Sequence, residues 1–190
     1  MNTTDLGPGL LRIARQAIGE EFGESLELPT ALLDHPELQQ AAATFVTLHL
    51  AGRLRGCIGT LEAHRTLLND VRHNAKAAAF RDSRFPPLRA EEFPQITIEV
   101  SLLTAPVALH FNSEAEALAQ LRPGIDGVIL RGATQRATFL PQVWEDLPEP
   151  GQFMAQLKRK AGLAMDDWND DIQLARYEVK KWTETKTRNH

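Results

Sequence analysis

Cys57 is the one cysteine in a chain of 190 residues, and it stands in Leu54-Arg55-Gly56-Cys57-Ile58-Gly59. A thiolate, not a thiol, is the nucleophile, and a nearby guanidinium favours it. Arg55, two residues away on the same strand face, is therefore the expected electrostatic partner. Gly56 and Gly59 flank the thiol without side chains, which permits close approach of a ligand or a sharp bend in the strand. The plainer role for the same residues is a small cysteine filling a gap beside glycine. His49 and His64 are the expected bases: His49 shares a face with Cys57, and His64 lies just before a helix and is placed to fold back over the strand. Glu99, in the middle of an alternating strand, is a further acid or base and a potential partner for Arg55. In Asp82-Ser83-Arg84-Phe85-Pro86-Pro87-Leu88, Asp82 and Arg84 are expected to tie the turn and Phe85 to anchor it in the core. The guanidinium fork of Arg84 suits a carboxylate or phosphate. Thr97, Ser101 and Thr138 complete the polar lining expected of one cleft.

These side chains need elements to hold them. Leu10, Leu11, Ala14, Ala17 and Ile18 recur on one helical face after Pro8-Gly9, and Gly23 is a natural end. Residues Glu24–Gln40 read as irregular connection. Thr44–Leu50 and Leu54–Leu61 read as two strands joined around Ala51-Gly52. A loop with an odd number of residues would align Val46, Leu48 and Leu50 with Leu54 and Ile58 on one face. Thr47, His49, Arg55 and Cys57 then share the other. Leu67, Leu68, Val71, Ala75, Ala78 and Ala79 form a helical stripe with Thr66 as N-cap, closed before Phe85-Pro86-Pro87. Phe93–Leu103 alternates as a strand with Ile96, Ile98, Val100 and Leu102 inward. Gly127–Leu140 reads as a hairpin around Gly132–Gln135. It places Val128, Leu130, Ala137 and Phe139 on one face, with Ile129, Arg131, Arg136 and Thr138 on the other. Gln152–Ala161 is helical with Gly162 as its stop, and Ile172–Trp182 is expected to close the fold as one strand. Hairpins with separate helices indicate an α+β fold with a largely antiparallel sheet.

Composition narrows the function. Hydrophobic residues are 43% and charged residues 24%, the balance of an ordinary globular domain. A net charge of −4 argues against nucleic acid or anionic lipid as partner, because both select basic surfaces. The basic clusters at Arg81–Arg89 and Lys158–Lys160 are the only features pointing that way. A single cysteine forms no internal disulfide and fits a reducing compartment. With neither a signal-peptide pattern nor an apolar run of spanning length, the protein is expected to be cytoplasmic. No His-Glu-x-x-His, Cys-x-x-Cys, phosphate-binding glycine loop, Rossmann glycine pattern or Gly-x-Ser-x-Gly elbow occurs, so no metal or other cofactor is expected.

Leu54–Gly59 resembles the signature of the AMMECR domain family. Four further blocks resemble that family in order: Ala78–Leu88, Ile98–Leu103, Gly124–Leu130 with Ala137–Trp144, and Leu157–Leu163. The resemblance implies an α+β fold with helices flanking the antiparallel sheet, and a larger and a smaller lobe with a cleft between them. It places one domain over residues 8–183, with flexible termini at 1–7 and 184–190. It keeps Arg55, Gly56, Cys57, Glu99 and Thr138 at matching positions. It also implies company: prokaryotic members occur beside Memo-like and radical S-adenosylmethionine proteins, the AmmeMemoRadiSam group. The expected function is an enzyme or enzyme-accessory protein acting on a small metabolite at Cys57. The alternatives are a non-catalytic partner of the Memo-like and radical proteins and, last, nucleic-acid binding.

Overall fold

The apolar stripe that begins at Leu10 winds into helix α1 (Leu6–Gly19), which buries Leu10, Ile13, Ala14, Ala17 and Ile18 completely. The computed structural model describes residues 6–185. A single 3-10 turn follows α1 and stops at Gly23, whose φ of +79° takes the left-handed conformation expected of a helix stop. The connection to the first strand is not wholly irregular, as it contains a short helix α2 (Thr30–Leu33) and a 3-10 turn over Pro36–Gln39.

The chain divides into two compact units, one through Leu103 together with the stretch from Lys180, the other Thr104–Val179. The first holds β1 (Ala41–Leu50), β2 (Arg53–Gly59), the two-residue β3 (Arg65–Thr66), α3 (Leu67–Phe80) and β4 (Ile96–Leu103). Its sheet runs in the order β2-β1-β4-β9, where β9 is Val179–Thr183, with β3 beside the start of β1. β1 is antiparallel to both β2 and β4. Val46, Leu48, Ile98 and Val100 face α1 and α3, and with their stripes they form one core. Thr66 caps α3, as its spacing predicts, by accepting from the Asn69 amide at 3.4 Å.

The apolar face of α3 also carries two polar residues. Asp70 is fully buried and accepts from the Thr44 amide (2.9 Å) and hydroxyl (2.7 Å), the Thr60 hydroxyl (2.9 Å) and Arg65 (3.1 Å). Asn74 donates to Asp70 at 3.0 Å and to the Thr44 carbonyl at 3.0 Å. A satisfied buried network of this kind fixes the helix over the strand in one position.

The second unit has β5 (Val107–Ala108), α4 (Glu114–Ala119), β6 (Gly127–Arg131), β7 (Arg136–Phe139), α5 (Pro150–Ala161) and β8 (Gln173–Tyr177), with sheet order β5-β8-β6-β7. The β6–β7 hairpin has the expected register, Val128 opposite Phe139 and Leu130 opposite Ala137. Val128, Leu130 and Ala137 pack with Phe153, Met154 and Leu157 of α5. Trp144 stacks on Phe153 at 3.7 Å between centroids. Gly162 ends α5 at φ +85°.

One expectation needs correction. The single strand predicted for Ile172–Trp182 is two, β8 and then β9 (Val179–Thr183), and they belong to different sheets. The break falls at Glu178, whose amide bonds the Thr104 hydroxyl at 2.8 Å instead of a neighbouring strand. At the C-terminal end of the described residues, Glu184 accepts from Arg15 and from the Ile98 amide. Residues 1–5 and 186–190 lie outside the described residues. Among the described residues no helix is long and apolar enough to cross a membrane.

Gly56 lies under α3, where a Cβ would collide with the backbone carbonyl oxygen of Ala78. Gly56→Ala is therefore expected to destabilise the protein by about 1–3 kcal/mol, the usual cost of overpacking. Urea unfolding should show a lower midpoint at an unchanged slope.

Candidate functional site

Cys57 reaches its position through a bulge. The turn between β1 and β2 is two residues long, Ala51 and Gly52, both at positive φ (+50° and +76°), as a hairpin of primed type requires. Leu50 pairs with Arg53 and His49 with Leu54, but Leu48 pairs with Gly56, leaving Arg55 unmatched. The odd residue that the parity argument demanded lies in the strand, not in the loop. Beyond the bulge, Thr47 faces Cys57 and Val46 faces Ile58, as expected. On the turn side, Leu54 falls opposite His49 and is exposed, so it does not join the aliphatic face.

The bulge sends Arg55 elsewhere. Its guanidinium is bidentate on Glu92 (3.0 and 2.9 Å) and donates to the carbonyls of Pro86 (2.9 Å) and Pro87 (3.3 Å). Arg55 is 8% exposed, so this is a buried clamp on the loop after α3. It pairs with neither Cys57 nor Glu99. Arg55 draws Glu92 down to a pKa of about 2, with a smaller contribution from the Arg89 amide.

A different arginine stands beside the cysteine. The backbone of Cys57 turns away from β1: its amide donates to Asp82 Oδ2 at 2.9 Å, and its carbonyl accepts from Arg84 at 3.2 Å. Arg84 in turn grips Asp82 at 2.9 and 2.7 Å. An ion pair thus takes the place that another strand would occupy along the edge of β2. Arg84 holds Asp82 well below the usual carboxylate range, helped by the amides of Cys57 and Arg84. The pKa of Arg84 is raised chiefly by Asp82 and to a lesser degree by Cys57. Asp82 and Arg84 tie the turn as anticipated; the core anchor of that segment is Leu88, while Phe85 is only half-buried.

On the sheet face away from the helices, Cys57, Thr47 and Glu99 form one row across β2, β1 and β4. Thr47 Oγ1 donates to Cys57 Sγ at 3.2 Å. Glu99 accepts from Thr183 at 3.2 Å and lies 3.3 Å from Lys181 Nζ. Two interstrand steps separate Cys57 from Glu99, roughly 10 Å. His49 and Thr97 make the next row on the same face and are half-buried. Gly59 sits under the ring of Phe45, which would collide with any Cβ there. Both glycines of the motif are therefore filled by packing, Gly56 by α3 and Gly59 by Phe45.

Two expected members are not strand partners in this row. His64 is two-thirds exposed in the turn after β2, with Nε2 3.2 Å from Glu62. Thr138 belongs to the second sheet, where its hydroxyl is 3.2 Å from that of Tyr177. Sequence reasoning missed Glu92, Lys181 and Thr183. For the last two the signal was present, since alternation through β9 puts them on one face; for Glu92 there was none. Among the described residues no group of three or more His, Cys, Asp or Glu side chains is placed to hold a metal ion.

Two antiparallel sheets with flanking helices make this an α+β protein. The AMMECR1 family profile matches residues 11–182, and the chain belongs to that family. A relative from Methanothermobacter thermautotrophicus is 38% identical over 87% of this chain and 87% of its own. One from Thermofilum pendens is 33% identical over 94% of this chain and 90% of its own. The crystal structure of an uncharacterised protein, PH0010, from Pyrococcus horikoshii superposes with a TM-score of 0.75 at 32% identity, covering 94% and 91% of the two chains.

Asp82 and Glu92 both have depressed pKa values in the folded state. Their contribution to stability is thus complete above the ordinary values of 3.8 and 4.5 and is lost as the pH falls through them toward the folded values. Urea unfolding across pH should show stability falling between about pH 5 and pH 2, and Glu92→Gln should flatten part of that fall.

Proposed function

We propose that this chain acts on a small metabolite through cysteine chemistry at the row Cys57–Thr47–Glu99. The observation that carries this reading is the geometry of that row. A thiol that accepts a hydroxyl hydrogen bond lies at one end, and a carboxylate held by Lys181 and Thr183 lies at the other. The interval of roughly 10 Å has room for a small substrate lying over Thr47. In this scheme Cys57 is the nucleophile and Glu99 the proton carrier, with His49 in the adjoining row as the alternative base. Arg84, 55% exposed at its side chain and bonded to the Cys57 carbonyl, retains donors for an anionic group of the substrate. Membership of the family supports a role beside Memo-like and radical S-adenosylmethionine proteins. The setting fits a cytoplasmic protein with a reduced cysteine.

Alkylation of Cys57 by iodoacetamide tests the reading, since there is one thiol to follow. Native protein is expected to label at least as fast as the urea-unfolded chain near neutral pH, and Arg84→Ala to label several-fold more slowly. Labelling only after unfolding would make Cys57 a packing residue. Full support of the Memo-like and radical partners by Cys57→Ala would favour the non-catalytic partner role instead.

A further inference from the structure

The second unit contains a cavity of about 1120 Å³ whose lining comes wholly from its own residues. Neither Cys57 nor any residue of its row belongs to it. Its floor is the outer face of the second sheet, where Ala108 pairs with Ala175 and Ala175 with Ile129. Two adjacent alanines leave a depression that larger side chains would fill. The next row on this face is Arg131 opposite Gln173, and the rings of Phe111 and Trp168, 5.4 Å apart, also line the space.

Arg131 is the one arginine in the lining. Its guanidinium makes no hydrogen bond or ion pair with any described residue, whereas Arg15, Arg55, Arg72, Arg84 and Arg122 all hold carboxylates. Directly across the hairpin it faces Arg136, a like charge on the same sheet face. Asp170 also lines the cavity and opposes a doubly charged guest.

We infer that this cavity is a binding site for a singly charged organic carboxylate with a flat apolar body. The carboxylate sits on the Arg131 fork, and the apolar body lies over Ile129 and the alanines against Trp168.

The probe is 1-naphthoate, followed by the indole N–H resonances of the three tryptophans in two-dimensional NMR, with Trp168→Phe assigning the signal. Saturable movement of the Trp168 resonance is expected. Arg131→Gln, at an exposed residue with no partner to lose among the described residues, should keep its melting temperature and weaken binding about tenfold or more. The neutral 1-naphthalenemethanol should bind more weakly by a similar factor. Binding that is indifferent to Arg131→Gln, an equally tight neutral alcohol, or no saturable shift at Trp168 would each overturn the inference. Displacement of naphthoate by inorganic phosphate would overturn the carboxylate assignment in favour of a phosphate site.

Discussion

One unpaired residue decides what the first sheet can do. With a two-residue turn and uninterrupted pairing, Cys57 would fall opposite Val46 and point into the aliphatic core, and Arg55 would fall opposite Leu48 beside it. Insertion of Arg55 as a bulge reverses the parity of all that follows. Cys57 then comes out beside Thr47, Ile58 goes in beside Val46, and Gly56 turns toward α3. The bulge is held by a buried arginine that satisfies a carboxylate and two carbonyls at once. Removing either partner of such a clamp leaves a buried charge uncompensated, which is far costlier than losing a surface pair.

The segment after α3 serves both sides of this arrangement. Pro86, Pro87 and Glu92 receive Arg55, while Asp82 and Arg84 close the outer edge of β2 at Cys57. Beneath them, the Asp70–Asn74 network fixes α3 over β1, and α3 in turn leaves no room for a side chain at position 56. Motif and loop are therefore one structural unit, although they are some 30 residues apart in the sequence. The thiol, its hydroxyl donor and the guanidinium near it are positioned together.

Much of this was legible in the chain, for identifiable reasons. Alternation in Ile96–Leu102, the helical stripe from Leu67 and the β6–β7 hairpin are local patterns, and each formed as its period required. The partnership of Thr47 with Cys57 followed from parity, but the location of the odd residue did not, since a bulge and a three-residue loop shift parity alike. Arg55 was assigned to Cys57 because it is near in sequence; Glu92, far along the chain, captures it through long-range packing that no local pattern encodes. Asp70 and Asn74 carried a signal that could have been used, an acid and an amide four residues apart on an apolar helical face. Leu54 and the split at Glu178 show the same limit: periodicity names a face only while the pairing continues unbroken.

The register around the bulge is the central claim, and a disulfide reads it directly. The Cys57 amide and carbonyl point away from β1, so Cys57 and Thr47 form a non-hydrogen-bonded pair, in which facing Cα atoms approach to about 4.5 Å. That separation suits a disulfide. Under mild oxidation Thr47→Cys should form an intramolecular bond with Cys57, visible as a mass loss and a protected thiol, while Val46→Cys stays reduced. A bond formed by Val46→Cys with Thr47→Cys remaining reduced would place Cys57 in the core and contradict the account.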